Sequence, residues 1–366
     1  MTDYLRYYFP VGMFAAAFLG FALGGNWVWL GLLTFPTLAL VDTLLPYDFR
    51  ARSVTNRKFA NIPVWICALA GPGLYLMAAW WVFTAPEATG WQYLGAAFSC
   101  GWLSVLPLVP ATHELYHQRG RLHRLVGRYA QVCYFDATRE IAHVVGHHIN
   151  VGTSADSDTA RRGITLYAFT ANAVVQSTRE AWEIENQALE KRGHARWSIH
   201  HRLWRALAAQ AAFQGLIFLI GGPVANGVAL GGMFIARFWV ESFNYFQHYG
   251  QVRVAGTPIR RHHVWNHLKP LSRMSAFEIT NHADHHLDTY LPYFRLVPDQ
   301  SAIRLPSVFV CFLTALIPPL WHNVVIKPAL KRWDLEFANA EERALARAQN
   351  KAAGWEDWFG DEKQVA

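Results

Sequence analysis

Eight of the chain's 17 histidines fall into three clusters whose spacing suits metal ligation. His143, His147 and His148 stand in HVVGHH, His113 and His117 in HELYH, and His282, His285 and His286 in HADHH. On a helix, residues four apart share a face, so His143 and His147 lie together and His148 is turned roughly 100° from its neighbour. A single histidine on such a face is more often a hydrogen-bonded polar residue than a ligand. Three clusters of one ligand type in one chain point instead to one metal centre. A zinc ion takes three or four protein ligands, so one zinc leaves most of these rings unexplained. Two ions with four or five nitrogens each account for them and leave a position open, an arrangement that suits iron and the activation of dioxygen.

Each ligating ring needs an acceptor for its second N–H. Glu114, Glu140, Asp156, Glu278 and Asp284 lie close enough in sequence to serve. Glu241, Asn244 and His248 fall at i, i+3 and i+7 on what reads as one helix, a stripe that brings His248 toward the same centre. His262, His263 and His267 sit near Pro258, Arg260 and Arg261 in what reads as a surface loop. His123, His194, His200, His201 and His322 have no partner at ligand spacing. No catalytic residue beyond the metal ligands is expected. HELYH also fits H-E-x-x-H, in which Glu114 would be the general base of a zinc protease, but that reading leaves the other clusters idle. A metal-ion transporter would place its ligands near the bilayer midplane, where this chain has almost no ionisable residues.

The elements that position these clusters are apolar blocks. The chain is 52% hydrophobic, and those residues gather in runs of the roughly 20 residues that a helix needs to cross a bilayer. Residues 7–23 and 27–45 form one pair, 62–83 and 91–109 a second, and 204–220 and 223–243 a third, around Gly221 and Gly222. The expected architecture is an all-α integral membrane protein with six transmembrane helices in three hairpins under a cytoplasmic, histidine-rich helical cap. Residues 1–110 hold four spans, 111–202 a cytoplasmic histidine region, 203–243 two spans, and 244–366 a second cytoplasmic histidine region and tail. Within the long 111–202 connection, 177–192 reads as a helix. The stretch 305–326 is apolar, but Pro318, Pro319 and the following Lys327, Lys331 and Arg332 argue for a packed, non-spanning piece. The tail after Glu341 reads as charged and soluble.

Charge sets the orientation. The 46–61 connection holds Arg50, Arg52, Arg57 and Lys58 against Asp48, whereas 24–26, 84–90 and 221–222 hold no Lys or Arg. Both termini are therefore expected in the cytoplasm of a bacterial inner membrane. The net charge of +7 fits an anionic leaflet and calls for no nucleic acid. A second apolar block three residues after the first argues against a cleaved signal peptide. Cys67, Cys100, Cys133 and Cys311 form no C-x-x-C pair, so neither a disulfide framework nor an iron–sulfur site is expected. No G-x-G-x-x-G fingerprint is present, so no flavin or nicotinamide is expected on this chain and electrons must come from a separate reductase. Arg119, Arg121, Arg124 and Arg128 offer it a docking surface, or simply follow the positive-inside bias. Trp65, Trp80, Trp81 and Trp102 line or pack a path through the spans.

The ordered set HELYH, HVVGHH, NYFQHYG and NHADHH resembles the integral-membrane di-iron oxygenases and desaturases. NYFQHYG favours the branch of the alkane ω-hydroxylases. GGNWVWLG, DSDTARRG, HHVWNH and FVCFLTALIPPLW are similar to the hydroxylase subunits of the xylene and p-cymene monooxygenases within it. The resemblance implies that His113, His117, His143, His147, His148, His248, His282, His285 and His286 bind two irons. It further implies hydroxylation of a methyl group on an aromatic ring such as xylene, toluene or p-cymene. Dioxygen and two electrons would be consumed, the electrons supplied by an NADH-dependent reductase with flavin and [2Fe–2S] groups.

Overall fold

The computed structural model describes residues 2–360 and is helical, with no strand among them. Helix α1 spans Phe9–Leu23, α2 Leu30–Leu44, α3 Arg57–Thr84, α4 Gly90–Val105 and α5 Leu108–His117. Side-chain caps start the third and fourth: Asn56 accepts the Phe59 N–H at 3.1 Å, and Thr89 with Gln92 forms a reciprocal capping box. Then come α6 (Arg121–Tyr129), α7 (Leu166–Glu190) and α8 (Arg202–Gln247). Helix α7 begins eleven residues earlier than the expected 177–192. Thr165 caps it, and Leu166, Phe169, Ala173, Ser177 and Ala181 form a buried stripe at helical spacing.

Among the described residues five runs are long and apolar enough to cross a membrane: Asp3–Leu23, Gly25–Leu44, Arg57–Thr84, Gly90–His117 and Arg202–Gln247. The last is not straight. Gly222 adopts φ 70°, ψ −163°, nearly the conformation of Gly24 (φ 68°, ψ −165°) at the turn between α1 and α2. Only glycine takes this conformation without strain, and Pro223 behind it lacks an N–H to continue the ladder. The chain folds back there. The Nε2 atoms of Gln210 and Gln214 reach Met233 Sδ at 3.4 and 3.0 Å, although 19 residues of straight helix would separate the nearer pair by roughly 28 Å. The two arms, 202–221 and 223–247, are therefore an antiparallel pair.

Burial separates the centre of the bundle from its rim. In the Gly90–His117 run 83% of the apolar window is buried, against 33–50% in the other four. Their outward faces carry Leu19, Leu33, Leu40, Phe83, Leu219 and Phe234, exposed to whatever solvent surrounds the bundle. Helix α4 meets the second arm of α8 backbone to backbone: a Cβ added at Gly101 would stand 2.8 Å from the Gly232 carbonyl oxygen. Such contacts between small residues let apolar helices approach closely. The 305–326 stretch yields Val308–Ala315 and, from Pro318 on, a helix that passes through a π-helical segment at Trp321–Ile326, and it is not among those five runs. Its Phe312 is fully buried among the rings of Phe35, Trp102, Trp239, Phe243 and Phe246. Trp81 and Trp102 are core residues, Trp80 faces outward, and Trp65 packs on the ring of His123.

The tail is more than a solvated appendage. Helices Lys327–Glu336 and Ala340–Ala352 dock under the DSDTARR loop through Arg162, whose side chain is fully buried. Its guanidinium is bidentate to Asp334 at 2.6 and 2.7 Å and also reaches Asn350 Oδ1 and the Gly250 carbonyl. Removing one partner of a buried pair strands the other charge. Arg162→Met is expected to lower stability by roughly 3–5 kcal/mol, read as a drop in the thermal midpoint of protein in detergent; an unchanged midpoint would contradict this latch.

Candidate metal centre

Four segments deliver nine histidines to one place. Helix α5 ends with His113 and His117, and the second arm of α8 ends just before His248. The short helix His282–Leu287 holds three more, and the turn His143–His147 is π-helical, with His148 directly after it. π-Turns inside helices are frequent at functional sites because they re-aim side chains. This one is tightly covered: a Cβ added at Gly146 would lie 1.8 Å from Glu180 Oε1, so the carboxylate of α7 sits directly on that backbone.

The nine rings divide into two groups. His113, His117, His143, His148 and His285 form one and His147, His248, His282 and His286 the other, with the ligating atoms of each group within 4.8 Å of one another. All nine are buried. In the first, His143 Nε2 is 3.0 Å from His113 Nε2 and 3.1 Å from His148 Nε2, which lies 3.2 Å from His285 Nε2. In the second, His282 Nε2 is 2.7 Å from His248 Nε2 and 3.1 Å from His286 Nε2. Metal–imidazole bonds of 2.0–2.1 Å place neighbouring ligand nitrogens roughly 2.9–3.4 Å apart. Both ring nitrogens of His117 and Nε2 of His147 are buried with no hydrogen-bond partner. Orphaned nitrogens converging at ligand spacing fit a cation in each group.

Protonation favours the same state. Burial, aided by neighbouring rings, holds His143, His148, His248, His285 and His286 well below the usual imidazole range and pushes His282 down to about 3. Neutral rings keep the lone pair that a metal needs. His147 is the exception: burial opposes its charge, but the adjacent Asp156 carboxylate outweighs burial and raises it.

Of the five carboxylates expected beside the rings, Asp156 reaches one, 2.9 Å from His147 Nδ1. Thr159 Oγ1 and the Asp158 N–H hold that carboxylate in turn. The others brace the elements. Glu114 accepts from Gln118 and from the Tyr293 N–H, Glu140 pairs with Arg128, Glu278 with Arg273, and Asp284 with Arg261. Glu114 shows why: a residue next to a ligand on a helix is turned roughly 100° away from it. Sequence reasoning passed over Asp158 and Arg139. Arg139 is buried, donates to Glu241 at 2.5 Å, and also pairs with Asp136 and Asp158, tying the π-turn to α8. The DSDT spacing, with a second acid two residues after Asp156, was the available signal.

His263 and His267 are buried, against the surface-loop expectation. His263, His262 and Glu342 form a further potential cluster. However, His263 Nδ1 accepts the Arg260 N–H at 3.0 Å and Nε2 lies 2.8 Å from Glu342, so both nitrogens are already engaged. His267 Nδ1 bonds the Pro306 carbonyl.

A helical bundle with nine buried histidines in two groups is the architecture of a membrane metalloenzyme, and the chain belongs to the fatty acid desaturase family, whose profile matches residues 88–305. Over 362 residues, 98% of either chain, it is 41% identical to the xylene/toluene monooxygenase hydroxylase component XylM of Pseudomonas putida. It is 26% identical over 319 residues to the alkane 1-monooxygenase of Pseudomonas putida, covering 84% of this chain and 77% of the relative. It is 32% identical over 254 residues to alkane 1-monooxygenase 1 of Pseudomonas aeruginosa, covering 67% and 66%.

Asp156→Asn keeps the side chain's shape and removes the charge facing His147. It is expected to weaken metal binding about 10–100-fold, measured as metal retained after dialysis against a chelator. Retention equal to the parent protein would refute that role for Asp156.

Proposed function

We propose that this chain is the hydroxylase component of a membrane monooxygenase that converts a methyl group on an aromatic ring to the primary alcohol. Per turnover one dioxygen, two electrons and two protons give the alcohol and one water. The observation that supports the reading most directly is identity of 41% over 98% of a xylene/toluene monooxygenase hydroxylase component, joined to the two histidine groups. The nine histidines hold two irons, five nitrogens on one and four on the other. Those ions, when bound, supply the activation of dioxygen.

The chain's own residues do the rest. Asp156 fixes the tautomer of His147 by accepting its Nδ1 proton, leaving Nε2 free to ligate. Arg139, with its three carboxylates, holds the π-turn against α8. A cavity of about 30 Å³ touches His113 and His143 of one group and His248 and His282 of the other, and its apolar wall includes Val109, Val240, Phe243 and Ile279. That is room for about two water-sized occupants, so an aromatic ring enters only as these apolar side chains move. The wall keeps the reacting methyl dry and favours a hydrocarbon arriving from the bilayer.

Six crossings in three hairpins are read from the apolar blocks, and the placing of both termini and the histidine regions 111–202 and 244–366 on the cytoplasmic side of a bacterial inner membrane from the charge in the connections. Electrons come from an NADH-dependent reductase bearing flavin and [2Fe–2S] groups. Arg119, Arg121 and Arg124 are exposed and available to it, while Arg128 is occupied by Glu140.

With such a reductase and NADH, p-xylene and p-cymene are expected to give benzylic alcohols faster than octane gives 1-octanol, measured by gas chromatography. Octanol formation with no benzylic product would move the assignment to an alkane hydroxylase. Arg121→Glu with Arg124→Glu is expected to raise the reductase concentration needed for half-maximal rate, and no change would exclude α6 as the docking face.

A further inference from the structure

A groove of about 470 Å³ lies between α3 and the first arm of α8, away from the histidine groups. Leu69 and Pro72 line it from α3, and Ala209, Phe213 and Leu216 from α8. Val126 and Tyr129, at the end of α6, complete the lining, and the Tyr129 hydroxyl is the only polar side-chain atom in it. The groove opens outward, since Leu69 and Leu216 are 60% and 43% exposed. Both helices belong to runs that are long and apolar enough to cross a membrane, so the occupant of this slot is drawn from the bilayer rather than from water.

The charge lies at one end. Residues 205, 209, 213 and 216 share one face of the helix, which puts Arg205 one turn beyond the groove. Arg205 lies roughly 26 Å of helix from the Gly222 turn, close to the far edge of a hydrocarbon layer roughly 30 Å thick. Aromatic rings mark the same edge. The Trp197 ring stacks on that of Trp204 at 5.1 Å, and Trp204 Nε1 donates to the Arg196 carbonyl, so the 191–201 loop folds over the start of α8. Trp197 and Ile199 of this loop are among the most exposed apolar side chains of the protein, and tryptophans gather where hydrocarbon meets headgroups. From Lys191 to Arg205 there are five Lys and Arg and no Asp or Glu. Glu185 holds Arg202 at 2.7 Å, whereas Lys191, Arg192, Arg196 and Arg205 have no carboxylate partner among the described residues. Basic clusters beside a span attract anionic lipid headgroups.

We propose that this groove is a phospholipid site, holding one acyl chain along α8 while an anionic headgroup rests on Arg205 under the basic 191–201 loop. A free phosphate would satisfy the arginine and leave the groove empty. An alkylarene would fill the groove and leave the arginine unpaired. An anionic phospholipid does both. The inference rests on the chain crossing a membrane and holds whatever the metal centre oxidises. One basic side chain near the headgroup level contributes roughly a fivefold preference for an anionic lipid.

The test is lipid binding by the full-length protein. Protein released into detergent micelles is titrated with phosphatidylglycerol or phosphatidylcholine of the same acyl chains, and native mass spectrometry gives the dissociation constant of the first lipid bound. The parent protein is expected to prefer phosphatidylglycerol. Arg205→Gln should lower that preference roughly fivefold with phosphatidylcholine binding unchanged. Ala212→Phe, which fills the groove, should weaken both lipids alike. Both positions are exposed, and a thermal midpoint equal to the parent's shows that a variant folds; Ala209→Leu takes the place of Ala212→Phe if that variant does not. Equal affinity of the parent for the two lipids, or an unchanged preference in Arg205→Gln, would mean ordinary lipid contact and overturn the assignment. A filled groove that weakens p-xylene binding but neither lipid would make it a hydrocarbon slot and overturn the assignment as well.

Discussion

Nine imidazoles driven into one dry volume are the constraint on which the rest of this molecule depends. Burial keeps nearly all of them neutral, so lone pairs face one another across distances as short as 2.7 Å. Each contact between two ring nitrogens can be satisfied by only one proton, and His117 has no partner for either nitrogen. Such a cluster is unfavourable until cations occupy it, and metal binding is therefore coupled to the stability of the surrounding fold. The four histidine segments come from distant parts of the chain and must be held against that repulsion before any ion arrives.

Buried ion pairs supply the hold. Arg139 joins the π-turn to α8, Arg273 with Glu278 braces the approach to the last histidine helix, and Arg162 fastens the C-terminal helices to the DSDTARR loop that carries Asp156. Buried pairs of this kind contribute little net stability over apolar packing, but losing one partner is severe. They fix position more than they add free energy. The same loop is tied to the His248 segment by a backbone bridge between Ala160 and Tyr249, so the acceptor for His147 and another histidine of its own group move as one unit.

The helical class and the apolar runs were legible because bilayer-length hydrophobic blocks are a one-dimensional signal. The turn at Gly222 was legible too, as a Gly-Gly-Pro break between two such blocks. The three histidine clusters announced themselves by spacing. Their division into five and four did not. His147 joins a different group from His143 and His148, its sequence neighbours, although its ring stacks at 5.0 Å on that of His143, and spacing does not mark that boundary. The carboxylate partners were the least legible: proximity in sequence suggested five, and only Asp156 lies on the inner side of its segment. Glu342 and Asn350, in a stretch that looked like a charged tail, are buried because Asn339 caps the last helix and Arg162 needs partners there. Those contacts link positions about 190 residues apart in sequence, beyond any local pattern.

Metal content per polypeptide tests the central claim most directly. Protein purified in detergent without chelators should contain two irons per chain, and His147→Ala, which removes one of the four nitrogens of its group, should lose iron and all turnover. One zinc per chain with no iron, or full iron and activity in the His147→Ala variant, would contradict the account.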